Sequence, residues 1–353
     1  LTMLLAEKFA DLGYEIDLIL AKKRGQYLQQ LSHNINLVDK KDKKVFLSVN
    51  SIGKYMKDTT PKVLISANER INIVALLAKK IYKAQTKVII TIHINNTKQI
   101  RNENRGFFIY VYRKLIIFIA RLTYKWADHV VTVSQGVAAD AAKIFKIPPS
   151  KIKVIHNPIV TGNIEYKMKL PVDHPWLKPE EKQVILGIGR LVNQKDFYTL
   201  LSSFALVKKS MPGAKLIILG EGPQREKLEE KILALGLKEH VAMPGFVDNP
   251  YNYLYNASVF VLSSAWEGFG NVLVEAMATG TPVVSTDCPS GPAEILCDGK
   301  YGPLVSPGDI KGLATAIVKI LENPPSSEQL KRRANDFTVE KAAEEYMKII
   351  NAY

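Results

Sequence analysis

Short apolar runs alternate with amphipathic stretches along this chain. Val259-Phe260-Val261-Leu262 is one continuous run, and Val184-Ile185-Leu186-Gly187-Ile188 is another. Runs of this length, bounded by Gly, Ser or Asn, predict buried strands. In the first half the same reading predicts strands over 15–20, 35–38, 62–66, 88–93, 130–134 and 153–156. Helices are predicted between them over 44–56, 70–84 and 137–145. Leu4, Leu5, Phe9 and Leu12 mark a further helix at the start, with Gly13 as its cap. The second half repeats the alternation, with strands over 184–190, up to Leu219, before Gly245, over 259–262 and over 282–286. One helix follows Asp196, another opens with Pro223 at its first position, and others occupy 271–279, a short piece from Ser290, 309–321 and 326–351, the last breaking near Asn335. Such alternation predicts parallel sheets covered by helices, and right-handed crossovers make each half Rossmann-like. Between 158 and 182 the pattern fades among Pro171, Pro175 and Pro179, with His174 and Trp176 nearby, which reads as a linker.

The candidate chemistry concentrates between Ser263 and Glu294. Glu267 and Glu275 flank Gly268-Phe269-Gly270-Asn271. Glu267 sits on the loop after a strand, and Glu275 sits inside the next helix. The Gly-rich backbone between them opens that helix and is expected to present N–H groups to an anion. A phosphate suits the N–H groups and the helix dipole. The carboxylates can accept hydrogen bonds from sugar hydroxyls. The expected ligand is therefore a nucleotide sugar.

Glu267, seven residues, Glu275, then the string AMATGTPVV resemble the donor-site signature of retaining GT-B glycosyltransferases of the group 1, family 4 type. Ser290-Gly291-Pro292-Ala293-Glu294-Ile295 is similar to members that build bacterial surface polysaccharides. The resemblance implies two Rossmann-like domains with a cleft between them. These are 1–160 on the acceptor side and 161–335 on the donor side, with a helix over 336–353 returning to the first. It further implies a strand and a Gly-rich loop ahead of the first helix. The natural protein is thus expected to be longer by on the order of 10–20 residues.

Within that resemblance, Arg190 and Lys195 bind the donor diphosphate after the strand that ends in Gly189. Their charge would stabilise the departing nucleoside diphosphate. Glu267, with the backbone of Gly268, Phe269, Gly270 and Asn271, would hold the sugar and diphosphate, and Glu275 the ribose. Gly220, Glu221 and Val247 are weaker donor-binding candidates. His93 joins Arg190, Lys195 and Glu267 as a catalytic candidate, because family members carry a His after this strand that reaches the donor sugar. From the residues alone, His93 is equally a hydrogen-bonded histidine at a strand end. Ser134-Gln135-Gly136 reads either as a cleft segment or as a plain helix cap. His156-Asn157-Pro158 resembles the family's His-Asn-Gly segment, with Pro158 in the Gly position, and is mostly structural. The glycine pairs 187/189 and 220/222 each lack the third glycine of a dinucleotide fingerprint.

The resemblance implies a transfer with retention of configuration, and the residues lead to the expectation that it needs no metal. No Asp-x-Asp motif stands at a strand end, and Arg190 with Lys195 supplies the cationic charge. No cofactor is expected beyond the co-substrate, with a UDP-sugar as the default. The expected acceptor is a glycan or lipid-linked saccharide. A sugar-nucleotide epimerase of the same fold and a non-catalytic sugar-nucleotide binder are the alternative readings.

Composition narrows the setting. The chain has 353 residues, 47% of them hydrophobic, and two cysteines, Cys288 and Cys297. This excludes a disulfide scaffold and favours a reducing cytosol. The net charge of +14 points to an anionic partner. No nucleic-acid module is present. The stretch 98–125 interleaves Lys98, Arg101, Arg105, Arg113, Lys114, Arg121 and Lys125 with Phe107, Phe108, Tyr110, Tyr112, Ile116, Ile117 and Phe118. Two readings stand: an interfacial helix, giving peripheral contact at the inner face of the cell membrane, or a core helix with a solvated basic face.

Overall fold

The apolar runs become buried parallel strands, and the amphipathic stretches become helices laid against them. The computed structural model describes residues 2–20, 33–39, 48–102, 107–177 and 183–351. The start of the expected helix over 44–56, together with Arg105, Pro179 and Lys182, lies outside the described residues, as do the side chains of Arg101 and Phe107. The chain divides into two units, Leu1–Pro158 with Val339–Tyr353, and Ile159–Thr338.

In the first unit α1 (Thr2–Asp11) leads to β1 (Ile16–Leu20), β2 (Ile35–Asp39), α2 (Ser48–Thr59), β3 (Val63–Ala67), α3 (Glu69–Tyr82) and β4 (Lys87–Ile92). There follow α4 (Asn96–Asn102), α5 (Phe107–Thr123), β5 (His129–Thr132), α6 (Gln135–Phe145) and β6 (Ile152–Val154). The alternation predicts one sheet, but the described strands form two. β1 pairs with β2, and β3-β4-β5-β6 form a second parallel sheet. The facing edges do not bond to each other. A cavity of about 630 Å3 is lined by Ile16, Leu18 and Leu20 from one edge and by Val63 and Ile65 from the other. Of the stretch 98–125, the described residues belong to α4 and α5, and a 3-10 turn, Tyr124–Trp126, follows α5. Ile89, Val131 and Ile155 of this unit pack against Phe9, Tyr346 and Ile349. The rings of Phe9 and Tyr346 meet edge to face at 6.5 Å.

The second unit contains α7 (Ile164–Met168), β7 (Val184–Ile188), α8 (Phe197–Ser210), β8 (Lys215–Leu219), α9 (Arg225–Ala234), β9 (Val241–Gly245) and α10 (Pro250–Asn256). It continues with β10 (Val259–Leu262), α11 (Asn271–Thr279), β11 (Val283–Thr286), α12 (Pro292–Leu296), β12 (Leu304–Val305), α13 (Ile310–Glu322) and α14 (Ser327–Ala334). A 3-10 turn, Asn335–Phe337, makes the break expected near Asn335 before α15 (Val339–Ile350). The sheet runs β12-β11-β10-β7-β8-β9, all parallel. Leu216, Ile218, Val259 and Val261 share one buried cluster with Leu200, Phe204, Leu313 and Ile317 of α8 and α13.

The linker expected over 158–182 is instead packed on this unit as far as it is described, to Leu177, with the His174 ring against Tyr253 and the Trp176 ring under Lys215. Val160 pairs with Thr338. Asn249 Nδ2 donates to the Lys167 carbonyl and Asn252 Nδ2 to that of Pro171, both at 2.8 Å. Proline-rich backbone finds partners here through asparagine side chains rather than through a ladder. Pro223 also departs from expectation. It precedes α9 rather than starting it, because Arg225 N bonds the Gly222 carbonyl in a turn and Gln224 is the cap.

Candidate functional site

β7 is the first strand of the second unit, and it lies between β8 and β10. The chain therefore winds one way from β7 to β9 and the other way from β10 to β12. That reversal opens a crevice outside the carboxyl ends of β7 and β10, where ligands of such sheets bind. The loop after β7 carries Gly189, Arg190 and Lys195. The loop after β10 carries Glu267 through Gly270.

Those two loops are joined by a network. Lys195 Nζ lies 2.5 Å from Glu267 Oε1, and both side chains are largely buried. Ser264 Oγ donates to the same carboxylate oxygen at 2.7 Å. Ser263 Oγ donates to the Lys195 carbonyl at 2.8 Å, and Gln194 Nε2 to the Trp266 carbonyl at 3.0 Å. Ala265 N bonds the Gln194 carbonyl at 2.8 Å. Below the loop, Thr286 Oγ1 holds the Ser264 carbonyl at 2.6 Å. Gly189 leaves room for the lysine stem, since a Cβ there would stand 3.1 Å from three Lys195 carbons. Arg190, by contrast, is exposed and makes no ion pair among the described residues.

Glu275 sits in α11, partly buried. Burial raises its carboxyl pKa to about 7, while the Lys195 charge opposes the shift. Gly270, in the left-handed region at φ 101°, precedes α11, and Leu273 N closes the first turn on its carbonyl. Phe269 offers no ring to a ligand, because its side chain is buried edge to face against Phe337 at 5.4 Å. Gly291 backs this loop at φ 103°, and a Cβ there would fall 1.8 Å from the Phe269 carbonyl oxygen. Cys288 lies buried beneath; burial first, then the Glu267 charge, pushes its thiol up to about 12.

The weaker candidates lie along the same edge, after β8 and β9. Gly220 passes against the Gly189 carbonyl, where a Cβ would fall 2.0 Å from the oxygen. Glu221 is already engaged, with Arg225 Nη2 and Nε 2.7 and 2.8 Å from its two oxygens. Those hydrogen bonds hold its carboxyl below the usual range. Val247 is half-buried beside an exposed Phe246.

His93 belongs to the first unit. Its Nε2 is 2.9 Å from Thr91 Oγ1, and Thr91 joins a buried polar network. Thr91 Oγ1 donates to the Ser66 carbonyl at 3.0 Å, Ser66 Oγ to Asn72 Oδ1 at 2.7 Å, and Asn72 Nδ2 to the Thr91 carbonyl at 2.9 Å. Burial lowers the His93 pKa, against a hydrogen bond with Asn157 that raises it. His93, His156 and Asn157 all line the cavity of this unit. Ser134 caps α6, accepting from Val137 N at 3.1 Å.

Ser263, Ser264, Gln194 and Thr286 are parts of this site that no motif in the sequence marks. The available signal was the pair of hydroxyls directly after a buried strand, where such groups satisfy loop backbone.

The family model "Glycosyl transferases group 1" matches residues 172–337, and "Glycosyltransferase Family 4" matches residues 1–162. The chain belongs to the group 1 glycosyltransferases. An uncharacterized glycosyltransferase of Methanocaldococcus jannaschii is 29% identical over 87% of this chain and 83% of its own. The N-acetylgalactosamine-N,N'-diacetylbacillosaminyl-diphospho-undecaprenol 4-alpha-N-acetylgalactosaminyltransferase of Campylobacter jejuni is 33% identical over 62% of this chain. The alignment spans 57% of that relative. Among solved structures, the lipopolysaccharide outer core galactosyltransferase WaaB superposes with TM-score 0.74 at 21% identity, over 99% of this chain and 93% of its own. Anabaena Alr3699/HepE, solved with UDP and glucose, gives 0.78 at 18% identity, over 100% of this chain and 95% of its own. These likenesses place the glycosyltransferase in the GT-B fold class.

Proposed function

We propose that this glycosyltransferase moves a sugar from a nucleoside diphosphate, with UDP as the default, to a glycan or lipid-linked saccharide in cell-surface polysaccharide synthesis. The observation that carries the reading is the Lys195–Glu267 pair beside Glu275 at the β7/β10 crevice. A diphosphate is drawn there by Lys195 and by the exposed Arg190, and the ribose by Glu275. Donor-binding roles go to Gly189, Arg190, Lys195, Glu267 through Asn271 and Glu275, with Gly220, Glu221 and Val247 secondary. Of these, Glu221 acts through its backbone, since Arg225 holds its carboxylate. His93 is the catalytic candidate of the first unit.

Support for the substrate class comes from relatives whose names record transfer to a diphospho-undecaprenol saccharide and lipopolysaccharide core biosynthesis. Solved neighbours include complexes with UDP and with UDP-glucose. Retention of configuration and independence of metal belong to the same proposal. In it the two cations stabilise the leaving diphosphate, as a divalent ion would otherwise. Peripheral contact at the inner face of the membrane is the remaining part.

The test is UDP release from UDP-sugars, with chelator present, in the presence and absence of short glycan and polyprenyl-linked saccharides. Acceptor-dependent release and a product with the donor's anomeric configuration are expected. Inversion, strict dependence on added magnesium, or release unaffected by every acceptor would contradict the respective part.

A further inference from the structure

A helix on the surface of a protein ordinarily turns a polar face outward, and a helix apolar all round is covered. α5 breaks the first rule. Ile116, Ile117, Ala120 and Thr123 form its buried side. On the opposite side, Phe108, Val111, Leu115, Phe118 and Leu122 recur at intervals of three and four, so they form one stripe. Phe108, Leu115 and Phe118 are 87%, 52% and 56% exposed, and Val111 and Leu122 are 45% exposed each. At 1.5 Å per residue the stripe runs about 20 Å. Isolated exposed hydrophobics need no explanation, whereas a contiguous stripe marks an interaction surface.

The charges around it select the partner. The sequence of α5 holds no acidic residue. Exposed Lys114 and Arg121 border the stripe on one side, and exposed Lys125 follows its end. Arg113 is drawn away toward Glu69 at 3.5 Å. Two copies of this face would bring like charges together, which disfavours self-association. No described helix is long and apolar enough to cross a membrane. An apolar stripe bordered by lysine and arginine instead matches an anionic bilayer, with rings below the headgroups and cations at their level.

We propose that the outward face of α5, from Phe108 to Leu122, lies in the surface of an anionic lipid bilayer. This deepens the membrane part of the proposed function and does not rest on its donor part. It also narrows the stretch 98–125, because the buried half of α5 is core and only the outward stripe meets lipid.

The experiment is co-sedimentation of the full chain with vesicles of phosphatidylglycerol and phosphatidylcholine mixed, and of phosphatidylcholine alone. Partition onto the anionic vesicles, weakened by salt, is expected. The double variant Leu115→Ser, Phe118→Ser should lose about tenfold or more of that partition. Lys114→Glu with Lys125→Glu should lose binding to the anionic vesicles specifically. Each variant is checked for an unchanged melting temperature and unchanged UDP binding, so that a failed donor site is not mistaken for a failed membrane face. Equal partition of the stripe variant and the parent would overturn the proposal. So would no partition at all, or a concentration-dependent dimer of the parent that the stripe variant abolishes.

Discussion

Lys195 and Glu267 stand 72 positions apart in sequence, yet their charged atoms meet at 2.5 Å where β7 and β10 end. The pair is built into the loops rather than laid over them, with Ser264 on the carboxylate and Ser263 on the lysine's own carbonyl. Removing one partner of a buried pair strands the other charge, at about 3–5 kcal/mol for a fully buried pair. These side chains keep 17% and 8% exposure. Lys195→Met should therefore fall toward the lower end of roughly 3–5 kcal/mol. The double variant Lys195→Met, Glu267→Met should cost less than the sum of the single changes. Denaturant midpoints of the four proteins check this.

Glu275 gives the unliganded protein a pH signature. Its folded pKa near 7 lies above the ordinary carboxylate value, because burial disfavours the charged form. The folded state therefore holds a proton that the unfolded state has released. That contribution to stability is complete below the unfolded pKa and is lost as pH rises through about 7. The slope approaches roughly 1.4 kcal/mol per pH unit at most. Glu275→Gln should remove this component from a series of unfolding curves between these limits. If the carboxylate accepts from ribose, UDP affinity in the parent should rise with pH through the same region and flatten in the variant.

Gly291 holds the loop before α11 by closeness rather than by a side chain. A methyl group there meets the Phe269 carbonyl oxygen at 1.8 Å, in a backbone conformation with φ 103°. Gly291→Ala is expected to destabilise by more than about 2 kcal/mol, combining positive-φ strain with the clash. It should also weaken UDP binding, because residues 268–271 must move. A titration of the variant at a temperature where it is folded separates the two effects.

His93 sits in the other unit, at the end of the Ser66–Asn72–Thr91 network. Its lowered pKa keeps the imidazole neutral at neutral pH. His93→Ala should cut turnover by at least about a hundredfold, the lower range for a lost catalytic contact. UDP-induced stabilisation should stay unchanged. Loss of both would assign His93 to the fold of the first unit instead.

Much of the fold was legible because local signals agree. The strand Val259–Leu262 and the helix Asn271–Thr279 fall on the predicted residues, since an apolar run ends in Ser and Gly280 stops the helix at φ 82°. Other elements lacked such agreement. The helix Pro250–Asn256 is short, and its signal is only Asn249 capping and Pro250 behind it. The strand Leu304–Val305 has two residues and no pattern to read. The separation of β1–β2 from β3–β6 depends on which edges bond, and periodicity carries no information about that. At the site, the two glutamates were visible as a motif, whereas their environments were not. Glu267 is held by two donors and Glu275 is pushed toward neutrality, a difference set by Ser264 and burial.

In the proposed function, Lys195, Glu267 and Glu275 form a nucleoside-diphosphate site that needs no metal. The direct measurement is thermal unfolding of the parent and of Lys195→Ala with UDP, GDP, ADP and CMP, in chelator and again with magnesium. A ligand at about 100 times its dissociation constant adds roughly 2.7 kcal/mol. An upward shift is expected for one diphosphate in chelator, with UDP foremost, together with its loss in Lys195→Ala. No shift for any nucleotide, or a shift that Lys195→Ala leaves intact, would contradict it.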